Sequence, residues 1–108
     1  MKNTYKAPGH LSLEAKKIWR EILSEYQIDD AVGLRILRVA LESFDRAQKA
    51  REEIDREGMT IIDKAGQTKS HPLLPIERDN RAAFLAGLKA LNLDLEPLRD
   101  RAGRPAGR

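Results

Sequence analysis

The apolar positions fall into three helical rhythms separated by one short β-like stretch. The longest rhythm runs from Asp29 to Gly58. Leu34, Leu37, Ala40, Leu41, Phe44, Ala47, Ala50 and Ile54 share a face, and Ile36 and Val39 widen it. The resulting apolar arc covers about 220°, roughly twice the ~100° stripe of an ordinary surface helix. Asp29 and Asp30 suit the start, as cap and as negative charge at the positive dipole end. Gly58 suits the stop, where a left-handed residue after the helix costs glycine nothing. At ~1.5 Å per residue such a helix is roughly 45 Å long. A helix this apolar needs cover on two sides. The rest of the chain supplies one, and a second copy of the protein is expected to supply the other, with Leu37, Val39, Ala40, Leu41, Phe44 and Ala47 as the oligomerisation residues. The alternative is that flanking segments of the same chain cover both sides.

Ahead of it, Ala15, Ile18, Trp19, Ile22, Leu23 and Tyr26 recur at threes and fours. Ser12 is the natural N-cap of this first helix, which ends near Tyr26, and Glu14 suits its first turn. Trp19 lies mid-stripe and reads as a core anchor rather than a platform for a base. The short turn from Gln27 to Asp30 predicts an antiparallel pair of helices. Residues 1–10, punctuated by Pro8 and Gly9, read as a flexible arm.

After Gly58 the period changes. Met59–Ile62 is rich in β-branched residues, Gly66 can turn, and Gln67–Ser70 can return, so a β-hairpin is expected over 59–70. Such a hairpin is marginal by itself and needs a helix or a neighbouring subunit to lean on. Pro75 suits the first position of a third helix to about Leu91, with Ile76, Ala83, Phe84, Leu88 and Leu91 on one face. Gly87 costs ~1 kcal/mol against alanine and signals close packing there. Asn92 suits a left-handed stop. The expected architecture is mainly α: an antiparallel pair with a long central helix, a short hairpin and a third helix, within a core domain over 11–98 that self-associates.

Charge adds one feature. The 108 residues carry 20 Lys+Arg and 17 Asp+Glu, a net +3. Residues 99–108 hold Arg99, Arg101, Arg104 and Arg108 against Asp100, which is that whole excess. A neutral body with a basic tail points to an anionic partner, the plainer reading being a solvated end. The tail has little to bury and reads as disordered. Lys16, Lys17 and Arg20 put a second basic group on one side of the first helix, with Glu21 and Glu25 on the next, so that a phosphate-holding face and a solvated face are equal readings.

Chemistry that would make an enzyme is not visible. There is no cysteine, hence no disulfide, thiol nucleophile or zinc–sulfur site. The two histidines, His10 and His71, stand apart. No metal-ligand motif, glycine-rich phosphate loop or cofactor motif occurs. The acids Glu52 and Glu53 read as solvated, and His71 reads as a residue able to close the hairpin by hydrogen bonding. No apolar run reaches the ~20 residues of a membrane helix, and MKNTYKAPGH has no apolar leader, so an intracellular protein without membrane partner is expected.

The order of these features resembles a known family. Leu11-Ser12, Ala15 and Ile18-Trp19 are followed by a long helix to Gly58, a hairpin with Gly66, His71-Pro72, and a helix closing on Leu91-Asn92-Leu93 with a basic end. This arrangement, over roughly residues 8–101, is similar to the small terminase subunits of tailed phages. The family often ends its third helix with Leu-Gly-Leu; here Asn92 stands for the glycine. The resemblance implies a non-catalytic part of a DNA-packaging motor in the cytoplasm of an infected or lysogenic bacterium. Its implied partners are double-stranded DNA, the large terminase subunit with its ATPase and nuclease activities, and further copies of itself in a ring. No recognition helix is identifiable here. DNA contact is therefore expected through phosphates, by Arg99, Arg101, Arg104, Arg108, Lys16, Lys17 and Arg20, which position DNA without specifying sequence. The competing expectation is a helical homo-oligomeric interaction module with no nucleic-acid role.

Overall fold

The computed structural model describes residues 5–92. Helix α1 spans Leu13–Glu25, α2 Ala31–Glu57, and α3 Leu74–Ala90; strands β1 (Thr60–Ile62) and β2 (Thr68–Ser70) lie between α2 and α3. The expectations for the basic tail and for residues 1–4 lie outside the described residues.

Local chemistry sets the ends. Ser12 caps α1, its Oγ accepting from the Ala15 N–H at 3.0 Å. Asp30 caps α2 through the Gly33 N–H at 3.1 Å. Gly58 ends α2 with φ 94° and ψ 159°. That is positive φ with an extended ψ, not the left-handed helical stop expected. The difference has a use: the chain leaves the helix already extended and enters β1 two residues later. Asn92 does take φ 60°, donating its N–H to Lys89 O after α3 has ended. Pro75 stands second in α3 rather than first, still within the first turn, where N–H groups have no helical acceptor.

Helix α2 has 27 residues, about 40 Å at 1.5 Å each, and both other helices pack on it. The α1 seam is fixed at one end by the short 26–30 connection and at the other by Asp45, which accepts from the Ser12 N–H at 2.8 Å and Oγ at 2.5 Å. Trp19, Leu23, Ile28, Leu37 and Leu41 fill the space between, with Leu11 and Ala15. The α3 seam pairs Glu57 with His71, Arg51 with Glu77, and Phe44 with Phe84, whose ring centroids are 5.3 Å apart. At its narrowest, a Cβ on Gly87 would lie 2.7 Å from the Ala40 Cβ. Numbers rise on one helix as they fall on the other, so both neighbours run antiparallel to α2.

The expected inward face of the third helix shifts, and the hairpin forms as expected. Helix α3 turns Glu77, Phe84 and Gly87 to α2, which leaves Ala83 exposed and Ile76 at 47%. The glycine contact and the Glu77 ion pairs fix this rotation against the purely apolar stripe. The hairpin pairs Thr60 with Ser70, Ile61 with Lys69 and Ile62 with Thr68. Its turn is tied by the Asp63 carboxylate, which accepts from the Ala65 and Gln67 N–H groups, and Gly66 takes φ 83°. Of its strand residues only Ile61 is half-buried, and Met59 and Ile62 stand 68% and 72% exposed. Among the described residues, the hairpin is therefore held at its root, with one face partly covered at Ile61 and the other open.

Candidate nucleic-acid and assembly surfaces

Lys17 and Arg20 are exposed on α1, and Lys16 is half-buried beside them. Leu13 and Ser24 complete that face, and Glu14, Glu21 and Glu25 occupy the adjoining strip, with Glu14 and Glu21 one turn to either side of Lys17. The Ser12–Asp45 contact sets the register of α1 on α2. Counting along both helices from it brings Arg20 level with the turn of α2 that carries Arg38, and Arg35 lies one turn on. All face the flank turned from α3. Among the described residues, the side chains of Lys16, Lys17, Arg20, Arg35 and Arg38 make no ion pair or hydrogen bond.

Four arginines elsewhere are committed. Arg51 and Arg81 both bond Glu77, at 3.0 Å each; Arg78 bonds Asp79; Arg56 bonds Glu53. Two acids of α2 beside the basic flank are committed as well. Glu42 meets His10 at 2.7 Å, and Asp45 holds Ser12. The i,i+4 pairs that the sequence offers to Arg46 and Lys49 are thus given up for tertiary contacts, each such pair being worth only ~0.2–0.5 kcal/mol. An open groove of about 540 Å³ beside them is lined by Glu14, Glu42, Asp45 and Glu52 as well as Arg46 and Lys49. Its mixed charge suits phosphate poorly.

The N-terminal segment lies against this region. It has no regular element between residues 5 and 10, yet it is tied down. The Trp19 indole N–H donates to Tyr5 O at 3.2 Å, the Tyr5 hydroxyl donates to Asp29 O at 3.3 Å, and Leu11 is buried. Trp19 is 4% exposed, a core anchor.

The residues expected to mediate assembly divide. Leu37 and Leu41 are fully buried, Ala40 and Ala47 nearly so, and Phe44 packs on Phe84. These five are satisfied within the chain. Val39 is 49% exposed and Val32, one heptad earlier, 67%. On α3, Ile76, Ala83 and Ala90 repeat at the same interval and are exposed. Helical geometry places both rows on one flank of the α2–α3 seam, the one turned from α1. Arg99, Arg101, Arg104 and Arg108 lie outside the described residues.

Among the described residues no three His, Asp or Glu side chains are grouped to hold a metal, and no helix is long and apolar enough to cross a membrane. Glu77 titrates low for a carboxylate. The hydrogen bond from Arg81, then that from Arg51, holds it below the usual carboxylate range, and Glu77 in turn raises Arg81.

Comparison with protein-family models matches residues 15–98 to the phage terminase small subunit. The chain belongs to that family. The match takes in α1 from its third residue, all of α2, the hairpin and α3, and so assigns the chain a part in phage DNA packaging. No curated protein and no solved structure matches it. Lys16, Lys17, Arg20, Arg35 and Arg38 fall within the region shared with the small terminase subunits; the four tail arginines fall beyond it. Arg35 and Arg38 were absent from the sequence-based set of DNA contacts. Their place on the charged arc of α2 was legible, but their nearness to α1 follows only from the helix register.

Proposed function

We propose that this small terminase subunit is a non-catalytic DNA adaptor. It binds double-stranded DNA through phosphates, presents it to the large terminase subunit in the bacterial cytoplasm, regulates that motor, and works as a ring-like homo-oligomer. The observation that carries the DNA reading is the set of five cations without acidic partners on the α1–α2 flank, inside the region shared with the family. Unpaired cations release condensed counterions from DNA when they meet phosphate, which makes affinity fall with salt. A ring would repeat a modest patch many times, and multivalency raises avidity by ~10²–10⁴.

The test is the salt dependence of duplex binding by the full chain. Alanine at Lys16, Arg20, Arg35 and Arg38 together should weaken binding to all sequences alike and flatten the log–log salt slope by ~0.9 for each phosphate no longer neutralised. Removal of residues 99–108 should flatten it further if the tail also touches phosphate. A slope unchanged by the helical substitutions would take this flank out of the mechanism. Full-chain binding that vanishes near physiological salt would favour the interaction module without nucleic-acid function.

A further inference from the structure

His71 is 3% exposed and uses every polar group it has. Its backbone N–H donates to Met59 O at 2.8 Å, closing the root of the hairpin. Its carbonyl accepts from the Leu74 N–H at 3.1 Å. Its Nδ1 accepts from the Leu73 N–H at 3.0 Å, and its Nε2 lies 2.6 Å from a Glu57 carboxylate oxygen. One side chain thus joins the end of α2, the base of the hairpin and the start of α3.

The bonding fixes the tautomer. A backbone N–H can only donate, so Nδ1 facing Leu73 must be bare. The ring proton then sits on Nε2 and donates to Glu57. This matters for α3, whose N-cap, Leu73, offers no side-chain bond, and whose first turn includes a proline without an N–H. His71 does the capping from two residues away. A second ring proton has to go to Nδ1. There it would point at the Leu73 N–H and end that bond, while the charge it adds meets the positive end of the α3 dipole and the negative end of the α2 dipole together. The Glu57 contact would strengthen, but Glu57 is itself 46% exposed in water, where such a gain is small. The other charges around the ring do not replace the missing acceptor. Arg56 stands 3.9 Å from the Glu57 carboxylate, Lys69 on β2 is exposed, and Glu77 on the first turn of α3 is committed to Arg51 and Arg81.

We propose that His71 is a proton-sensitive latch. With Nδ1 bare it fastens the hairpin and the start of α3 to the end of α2, and proton uptake at Nδ1 unfastens them while the α1–α2 core stays closed. The hairpin carries exposed Met59 and Ile62, so the latch sets how those side chains are presented.

The test uses the full chain. Long-range ¹⁵N–¹H NMR of the imidazoles should show His71 as the Nε2–H tautomer above its titration. Hydrogen exchange, corrected for intrinsic rates, should then show protection at the His71, Leu73 and Leu74 amides falling roughly tenfold, the scale of one broken hydrogen bond, as the ring titrates. Amides of α2 near Leu41 should hold their protection. His71→Asn places an uncharged acceptor near the Nδ1 position, so it should keep the protection and abolish its pH dependence. His10→Asn, at the other histidine–glutamate pair, should leave that dependence unchanged. An Nδ1–H tautomer, protection independent of ring titration, or the same pH dependence in His71→Asn would each overturn the latch. If the Asn variant does not fold, the wild-type comparison decides. Loss of protection that tracks the His71 ring shift supports the latch, and loss that does not track it overturns it.

Discussion

Gly87 shows at the residue scale why a helix can contain a residue that disfavours helix. Alanine would improve helix propensity by ~1 kcal/mol. Its Cβ would also stand 2.7 Å from the Ala40 Cβ, with the Ala40 Cα at 3.5 Å. The helices would have to part, and overpacking of this kind costs about 1–3 kcal/mol. Gly87→Ala should therefore lower the denaturant midpoint, and adding Ala40→Gly should restore part of the loss. That Gly87 marks close packing was legible in the sequence; that its partner is Ala40 was not, since a missing side chain names no neighbour. Glu77 is the second residue-scale case. Its carboxyl titrates lower in the folded chain than in the unfolded chain because Arg81 and Arg51 bind the charged form. The stabilisation is present above the unfolded value and disappears as pH falls through the folded one. Urea unfolding near neutral pH and in acid should show Glu77→Gln less stable at neutral pH and with a shallower acid decline. Equal acid slopes in the two proteins would refute the assignment.

At the scale of elements, α2 satisfies its wide apolar arc in two unequal ways. The α3 seam is close, built on Gly87 and alanines; the α1 seam is wider, filled by Trp19, Leu23, Leu37 and Leu41. Leu41 is fully buried, so Leu41→Glu should unfold the chain, because an unpaired buried carboxylate is costly. Val39 is half exposed on the opposite flank, so Val39→Glu should leave the circular dichroism spectrum and thermal midpoint near wild type while dissociating the proposed assembly. An assembly that survives Val39→Glu takes the Val32–Val39 flank out of the interface. The positions of α1, α2 and the hairpin were readable because caps, periods and turn residues are local signals. The rotation of α3 was not. Its apolar stripe predicted Ile76 and Ala83 inward, whereas the Glu77 ion pairs and the glycine contact, both tertiary, turn them out.

At the scale of the whole molecule, the surfaces left open among the described residues include the basic flank of α1 and α2, the apolar rows of α2 and α3, and the face of the hairpin that carries Ile62. A native mass by mass spectrometry and light scattering at two salt concentrations should exceed that of a monomer. A clean monomer at micromolar concentration would mean that self-association, if it occurs, waits for DNA or the large subunit. The sequence by itself determined the three helices, their caps at Ser12 and Asp30, the turn at Gly66, the stop at Asn92 and the family. Each depends on a few neighbouring residues or on their order. Tertiary structure alone decided which neighbour takes which flank of α2, that Glu42 and Asp45 turn to His10 and Ser12, and that Arg35 and Arg38 stand beside α1. An apolar stripe states that a face must be covered without stating by what. Which residues remain for a partner is fixed only when the chain has chosen its own contacts.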